Sequence, residues 1–111
     1  MPQINYDDFT KIEMRVGVIV DAENFPEAKV PAYKLTIDFG EYGLKKSSAQ
    51  ITDLYSIDDL LNRQVIAVTN FPPKRIAGFK SEVLVLGASD DKKRVVLLEP
   101  ERHLPIGSRI F

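Results

Sequence analysis

Apolar and polar side chains alternate over long stretches of this chain, and the alternation predicts strands. One such stretch begins at Glu13. It would put Met14, Val16, Val18 and Val20 on one face and Arg15, Gly17, Ile19 and Asp21 on the other. Period-two alternation is the pattern of a half-buried strand. Because a glycine inside a strand favours a bend or bulge, Gly17 predicts a strand that curls into a barrel.

A second alternating stretch, with apolar positions at 33, 35, 37 and 39, is followed by a turn at 40–43 and a third strand over 44–51. This spacing is typical of an antiparallel hairpin. Residues 56–59 read Ser-Ile-Asp-Asp, which matches a capping box and predicts a short helix over 56–62. Strand character returns at 64–68.

The remaining segments are predicted from their polar residues and prolines. Residues 6–14 predict a short helical turn capped by an aspartate, and residues 23–31 predict a loop. Pro72 and Pro73 donate no ladder hydrogen bonds, so residues 70–80 predict another loop, with Gly78 as its pivot. Two apolar runs that do not alternate follow at 83–86 and 95–98, joined by a polar turn.

This order of elements predicts an all-β barrel, an OB-fold with one short helix between strands 3 and 4 and further strands at the C-terminus. We expect a single domain over residues 1–111. The two runs that do not alternate would be apolar on both faces and need cover on both sides. A symmetric second copy is the commonest cover, so we predict a homodimer through these C-terminal strands.

The composition of the chain excludes several classes of functional site. Hydrophobic residues make up 44% and charged residues 28% of the chain, which contains no cysteine and one histidine, His103. Disulfides, thiolate nucleophiles and Cys/His zinc sites are therefore excluded, and we expect no metal and no cofactor. No apolar stretch is long enough for a membrane span. The N-terminus lacks the pattern of a signal peptide, so we expect the cytoplasm.

The sequence carries only weak candidates for catalysis. Ser47 and Ser48 are adjacent hydroxyls for which His103 is the one possible base, but they lie in a predicted strand with no nucleophile elbow. No Walker-type glycine loop is present. We therefore predict that the protein is not an enzyme.

Residues 70–80 are a better candidate for binding, because they combine aromatic, rigid and cationic side chains. The members are Phe71, Pro72, Pro73, Lys74, Arg75, Phe79 and Lys80. The charge of the chain is uneven too, at −5 over residues 1–60 and +4 over residues 61–111. Cations beside aromatics suit a nucleic acid, and they suit an extended peptide equally. The alternative is that the two phenylalanines are core residues and the cations are only solvated.

Three segments carry a resemblance to a known family: residues 8–17, residues 47–52 and the long run 65–87. Together they resemble the CsaA family of export-related chaperones. That family belongs to the tRNA-binding OB domains also found at the C-terminus of many bacterial methionyl-tRNA synthetases. The resemblance implies a homodimer that binds unfolded or precursor polypeptides, with SecA and tRNA as further candidate partners.

One stretch separates the chaperone branch from the tRNA-binding branch. The tRNA-binding branch typically reads Gly-x-x-Ser-x-Gly-Met, and Gly78 and Ser81 fit that frame, but Val83 and Leu84 replace its last two residues. A β-branched valine would block the close backbone approach that glycine allows. Glu82 would also repel phosphate. The resemblance therefore favours the chaperone branch.

The sequence thus predicts an ATP-independent molecular chaperone that binds unfolded or precursor proteins for export, with structure-specific tRNA binding as the alternative. The expected peptide-binding residues are Arg15, Lys46, Ser48, Phe71, Pro72, Pro73, Lys74, Arg75, Phe79, Lys80 and Ser81.

Overall fold

A computed structural model describes residues 1–111 of the chain. Short strands dominate it. The helices are α1 (Tyr6–Thr10) and α2 (Ile57–Leu60), with a 3-10 turn at Gly40–Tyr42. The strands are β1 (Met14–Asn24), β2 (Tyr33–Asp38), β3 (Leu44–Ala49), β4 (Gln64–Val68), β5 (Lys74–Ile76), β6 (Phe79–Ser81), β7 (Leu84–Val85), β8 (Gly87–Ser89) and β9 (Val95–Leu97). No helix is long and apolar enough to cross a membrane.

Five strands form one antiparallel sheet in the order β3-β2-β1-β4-β7. The sheet curls until β3 meets the segment before β7, where the amide of Glu82 donates to the carbonyl of Lys46 at 2.7 Å. The amide of Lys46 in turn donates to the Glu82 carboxylate at 3.2 Å. The Glu82 carboxylate and the amides of Lys46 and Glu82 thus nearly close the barrel. The predicted all-β, OB-like architecture with a helix between β3 and β4 is confirmed.

The inward face of β1 differs from the one that its alternation predicts. Ile19 is fully buried and Val20 is 44% exposed. The register with β2 shifts between Ile19 and Asp21, so a bulge resets the inward face to Ala22. Gly17 points inward as well, because a Cβ there would lie 2.5 Å from the Ile37 side chain. Gly17 therefore permits close packing of β1 against Ile37. The bend in β1 lies three residues later, at Val20.

Thirteen buried residues form the core, most of them from β1, β2 and β4. Helix α2 contributes Leu60, which is fully buried. The Ser56 hydroxyl accepts from the Asp59 amide at 3.2 Å, and the Asp59 carboxylate accepts from the Ser56 amide at 3.0 Å. The predicted capping box is confirmed, although the helix is shorter than predicted. In α1 the cap is Asn5, whose amide donates to Asp8 at 3.0 Å, so the aspartate lies inside the helix.

The C-terminal half departs from its prediction in two places. Residues 74–81 form a β-hairpin where a loop was predicted. The two runs that do not alternate form only short strands, with Val83 and Leu97 buried but Leu84, Val96 and Leu98 at 39% exposure or more. Past them, the last residues pair with the start of β1, where Val16 donates to the Ser108 carbonyl at 2.9 Å.

Candidate functional site

The hairpin of β5 and β6, hereafter the cationic hairpin (residues 74–81), turns at Ala77 and Gly78. Both have positive φ, 47° and 83°. Two such residues make the turn whose twist matches that of paired strands. Arg75 lies opposite Lys80, and Ile76 lies opposite Phe79. Because side chains alternate across a strand, the two cations share one face of the hairpin and the two apolar residues share the other.

The apolar face packs on the barrel. The ring of Phe79 meets that of Phe25 edge-on at 5.5 Å, and Phe25 is 3% exposed. The ammonium of Lys34 lies 4.9 Å from the Phe25 ring centre and 5.6 Å from that of Phe79. Ser81 adds a polar anchor, since its hydroxyl accepts from the Ser48 amide at 3.1 Å. Phe79 and Ser81 therefore hold the hairpin in place.

The opposite face is free for a ligand. Arg75 and Lys80 are both exposed, and neither forms a salt bridge. The only hydrogen bond of the Arg75 side chain is within its own turn, where Nη1 donates to the Gly78 carbonyl at 3.3 Å. Like charges directly opposite each other destabilise a strand pair. A hairpin with two uncompensated cations side by side is thus suited to an anionic or carbonyl-rich ligand.

Other unpaired cations lie near the cationic hairpin. Six of the 15 basic residues form salt bridges, which leaves nine. Lys74, Arg75 and Lys80 belong to the hairpin, and Lys46 lies on β3, which the hairpin joins. Lys29 lies on the loop before β2 and lines a groove that reaches the hairpin turn. More than half of the unpaired positive charge is therefore on or beside one surface.

That groove, hereafter the outer groove, has a volume of about 300 Å³. Its walls are the loop before β2, the end of β3 and the hairpin turn, and its apolar lining includes Val30 and Ile76. Ser48 and Gln50 form the β3 side. A lining that combines apolar side chains with Glu27 and Lys29 can hold an extended segment that carries both apolar and polar groups.

The predicted site residues fall into three groups. Lys74, Arg75 and Lys80 are exposed on the cationic hairpin; Phe71, Pro72 and Pro73 are exposed on the loop between β4 and β5 that leads to it, with Phe71 at 51%. Lys46, Ser48, Phe79 and Ser81 join the hairpin to the barrel.

Arg15 belongs to a different part of the molecule. Its guanidinium donates to Glu13 at 2.6 Å and to the Gly107 carbonyl at 2.8 Å, and it lies 3.7 Å from the centre of the Tyr42 ring. These contacts hold the C-terminal segment on β1. The hydrogen bond from Arg15 also lowers the pKa of Glu13 below its usual value. Arg15 therefore has a structural role and does not line the outer groove.

Val83 and Glu82 have roles in the structure that differ from those expected from the sequence. Val83 is 5% exposed and belongs to the core, so it does not block the approach of a ligand. The carboxylate of Glu82 accepts from the Lys46 amide, so it closes the barrel. Sequence reasoning also missed Phe25, Lys34 and the loop at 27–32. No chemical motif marks them, and only the folded contacts bring them to the hairpin.

The weak catalytic candidates are not brought together. Ser47 is 1% exposed, and its hydroxyl donates to the Ser48 carbonyl at 3.3 Å. His103 is exposed and forms no hydrogen bond with either serine. No group of three or more His, Cys, Asp or Glu side chains is arranged to hold a metal ion.

Comparison with known proteins gives one family. The model of a putative tRNA binding domain matches residues 14–109. Among solved structures, the chaperone CsaA from Bacillus anthracis is 54% identical, with a TM-score of 0.94, and the match covers 99% of this chain and 100% of that one. A CsaA chaperone protein from Picrophilus torridus is also 54% identical, with a TM-score of 0.92 over 98% of this chain and 100% of that one.

Two less similar relatives are a MetRS-related protein and a methionine–tRNA ligase. A MetRS-related protein from Pyrococcus horikoshii is 28% identical, with a TM-score of 0.89 and full coverage of both chains. The methionine–tRNA ligase of Thermococcus onnurineus is 37% identical over 107 residues, which are 96% of this chain. The match spans only 14% of that ligase, so the chain corresponds to a small part of the enzyme's length.

Proposed function

Because this chain belongs to the tRNA-binding domain family, we propose that it works by binding rather than by catalysis, as an ATP-independent chaperone for unfolded or precursor polypeptides. Its similarity over the whole chain to two CsaA chaperones supports this function. The observation that carries it is the outer groove, which combines an apolar lining with the unpaired Lys29 and borders the turn of the cationic hairpin.

In the proposed mechanism, an extended client segment lies in the outer groove beside the cationic hairpin. Val30 and Ile76 contact its apolar side chains in the groove, and where the segment continues across the hairpin, Lys74, Arg75 and Lys80 bind its carbonyls or carboxylates. The exposed ring of Phe71 and the rigid Pro72-Pro73 step extend this surface, since a rigid loop loses less entropy on binding. Binding and release of the client need no nucleotide, because both follow from the affinity of the groove for the client segment.

Structure-specific tRNA binding is the second candidate function. The exposed, unpaired Arg75 and Lys80 favour it, because adjacent cations neutralise adjacent phosphates. Binding of this kind is strongly salt-dependent, since each neutralised phosphate releases a counterion. A chaperone that relies on apolar contact depends less on salt.

The proposal includes a cytoplasmic homodimer that passes precursors to SecA. Val96 and Leu98 support the dimer, because they are apolar, exposed and two residues apart at the C-terminal strands. We expect L98D to form folded monomers in sedimentation velocity. L97D, at a position with 8% exposure, should unfold the chain instead. A folded L98D that remains dimeric would contradict this interface.

The experiment that tests the function is fluorescence anisotropy with labelled tRNA and with a labelled unfolded precursor peptide, each at low and high salt. The test variant combines K74A, R75A and K80A. The matched control combines K11A, K92A and R102A, which removes three exposed cations elsewhere. We expect the test variant alone to lose peptide binding, in parallel with its ability to suppress aggregation of an unfolded client.

The outcomes separate the two candidates. Peptide binding that persists at high salt and is weakened only in the test variant supports the chaperone. Salt-steep tRNA binding without peptide binding would make tRNA the ligand. Equal peptide binding by test and control variants would place the client site away from the cationic hairpin.

A further inference from the structure

The edge of β3 carries backbone groups that no other residue satisfies. The amides of Lys46 and Ser48 reach Glu82 and Ser81, so these two residues direct their backbone groups away from β2. Such direction alternates along an antiparallel pair, and we infer the same orientation for Gln50, which follows directly after the end of β3. Gln50 is exposed, and its N–H and C=O form no hydrogen bond. The Ser48 carbonyl accepts only the Ser47 hydroxyl, at 3.3 Å.

A groove lies on each side of this edge. The outer groove meets it at Ser48 and Gln50. An inner groove of about 340 Å³ meets it at the same two residues and continues along Ala49 and Ile51 to β7, β8 and β9. The apolar residues of its far wall are Leu84, Val85, Ala88 and Val95. The free edge thus runs between two grooves that face opposite sides of the strand.

The far wall of the inner groove has an open edge of its own. The Leu86 amide donates to the Ile66 carbonyl on β4 at 2.9 Å, while the Leu86 carbonyl accepts from the Leu98 amide at 3.2 Å. Because amides alternate in direction along an antiparallel strand, the Val85 amide points away from β4, where β7 has no further strand beside it. The barrel is closed at residues 46–48 and open beyond them.

We propose that the client polypeptide binds as an added β-strand on the free edge of β3 at residues 48–50, with alternate side chains in the outer and inner grooves. The inference rests on the proposed chaperone function and names its recognition mode. Main-chain hydrogen bonds supply affinity for any sequence, while pockets for alternate side chains supply preference. The occupant is therefore an extended segment whose every second side chain is small or medium-sized and apolar.

The two grooves differ in the side chains that they accept. The inner groove is lined mainly by apolar residues, so it takes the apolar positions of the segment. The outer groove joins the apolar Val30 and Ile76 to the charged Glu27 and Lys29, so it takes side chains that have both an apolar and a polar part, such as threonine. An alternating segment of this kind is what an unfolded amphipathic strand presents.

The test is an N-methyl scan of a fluorescein-labelled eight-residue peptide of alternating valine and threonine, titrated against the full chain. N-methylation removes one amide donor and leaves the side chains unchanged. We expect about a tenfold loss of affinity at the two amides, two residues apart, that reach the Ser48 and Gln50 carbonyls, and little change at the position between them or elsewhere. The protein variant Q50P, which removes one edge donor, should lose about fivefold, with thermal unfolding as the check on its fold.

Each outcome decides the inference. Losses that alternate support strand addition even if Q50P does not fold, because the scan uses the natural chain. Losses without alternation overturn it, as does a precursor that binds while the unmethylated valine–threonine peptide does not, and in both cases the chaperone function stands. If neither the peptide nor the precursor binds, the chaperone function fails together with the inference.

Discussion

The pair of cations across the cationic hairpin leads to a prediction in which stability and binding change in opposite directions. Arg75 and Lys80 lie directly opposite each other on the exposed face. The variant K80E replaces two like charges with an opposite-charge pair at the same two positions. A favourable cross-strand pair contributes about 0.2–1 kcal/mol, and the like-charge repulsion is removed as well.

For a chain of 111 residues, a gain of about 0.5–1 kcal/mol raises Tm by roughly 2–4 °C. The gain should shrink in high salt, because both groups are exposed and screened. Binding should weaken at the same time. For tRNA we expect about a tenfold loss at low salt, and a slope of log affinity against log salt that is smaller by about 1.

The matched control is K92E, which makes the same charge change at an exposed, unpaired lysine in the turn between β8 and β9. Calorimetry and anisotropy with both ligands would be run on the two variants side by side. K92E should leave Tm and binding nearly unchanged. The reasoning fails if K80E lowers Tm, which would mean that the two cations do not face each other. It also fails if K80E binds both ligands as K92E does.

Three further predictions concern the barrel. G17A should lower the free energy of unfolding by about 1–3 kcal/mol in urea, because its Cβ would enter occupied core space; a variant as stable as the natural chain would contradict the inward orientation. The hydrogen bond from Arg15 lowers the pKa of Glu13 in the folded chain. The resulting stabilisation is present above the unfolded pKa of Glu13 and is lost as the pH falls through its folded pKa. E13Q should therefore flatten the decline in Tm between about pH 5 and about pH 3, the range in which carboxyl groups titrate. E82A should speed hydrogen exchange at the Lys46 amide while E82Q, which keeps an acceptor oxygen, should restore its protection; equal exchange in both would mean that the carboxylate does not close the barrel.

Most of the fold could be predicted from local patterns. Strand β2 alternates strictly, and its buried positions, Tyr33, Leu35 and Ile37, are the apolar ones. Helix α2 begins where its capping box predicts. Such signals depend on neighbours in the sequence, so the sequence alone contains them.

The errors arise where long-range contacts decide the local structure. Val20 looks like a core residue by alternation, but a bulge set by pairing with β2 turns it outward. The hairpin turn needs a positive φ at Ala77, which alanine adopts rarely. The sequence therefore predicts a loop where the structure has the two strands of the cationic hairpin.

The candidate site was only partly predictable for the same reason. The cations on the hairpin could be found by composition. That Phe79 packs on Phe25, and that Lys34 lies over both rings, depends on a fold that joins segments more than 40 residues apart. The grooves on the two sides of β3 have no signature in the sequence at all, since each is formed by backbone segments that meet only in the barrel.

The attachment of the cationic hairpin has an evolutionary consequence. No ladder of backbone hydrogen bonds joins it to the main sheet; it is held through Phe79, Ser81 and the neighbouring Glu82. Substitutions at its outward positions therefore alter the ligand surface with little cost to the barrel. A scaffold built in this way can exchange one class of ligand for another by a few mutations, and drift in binding preference need not pass through an unstable intermediate.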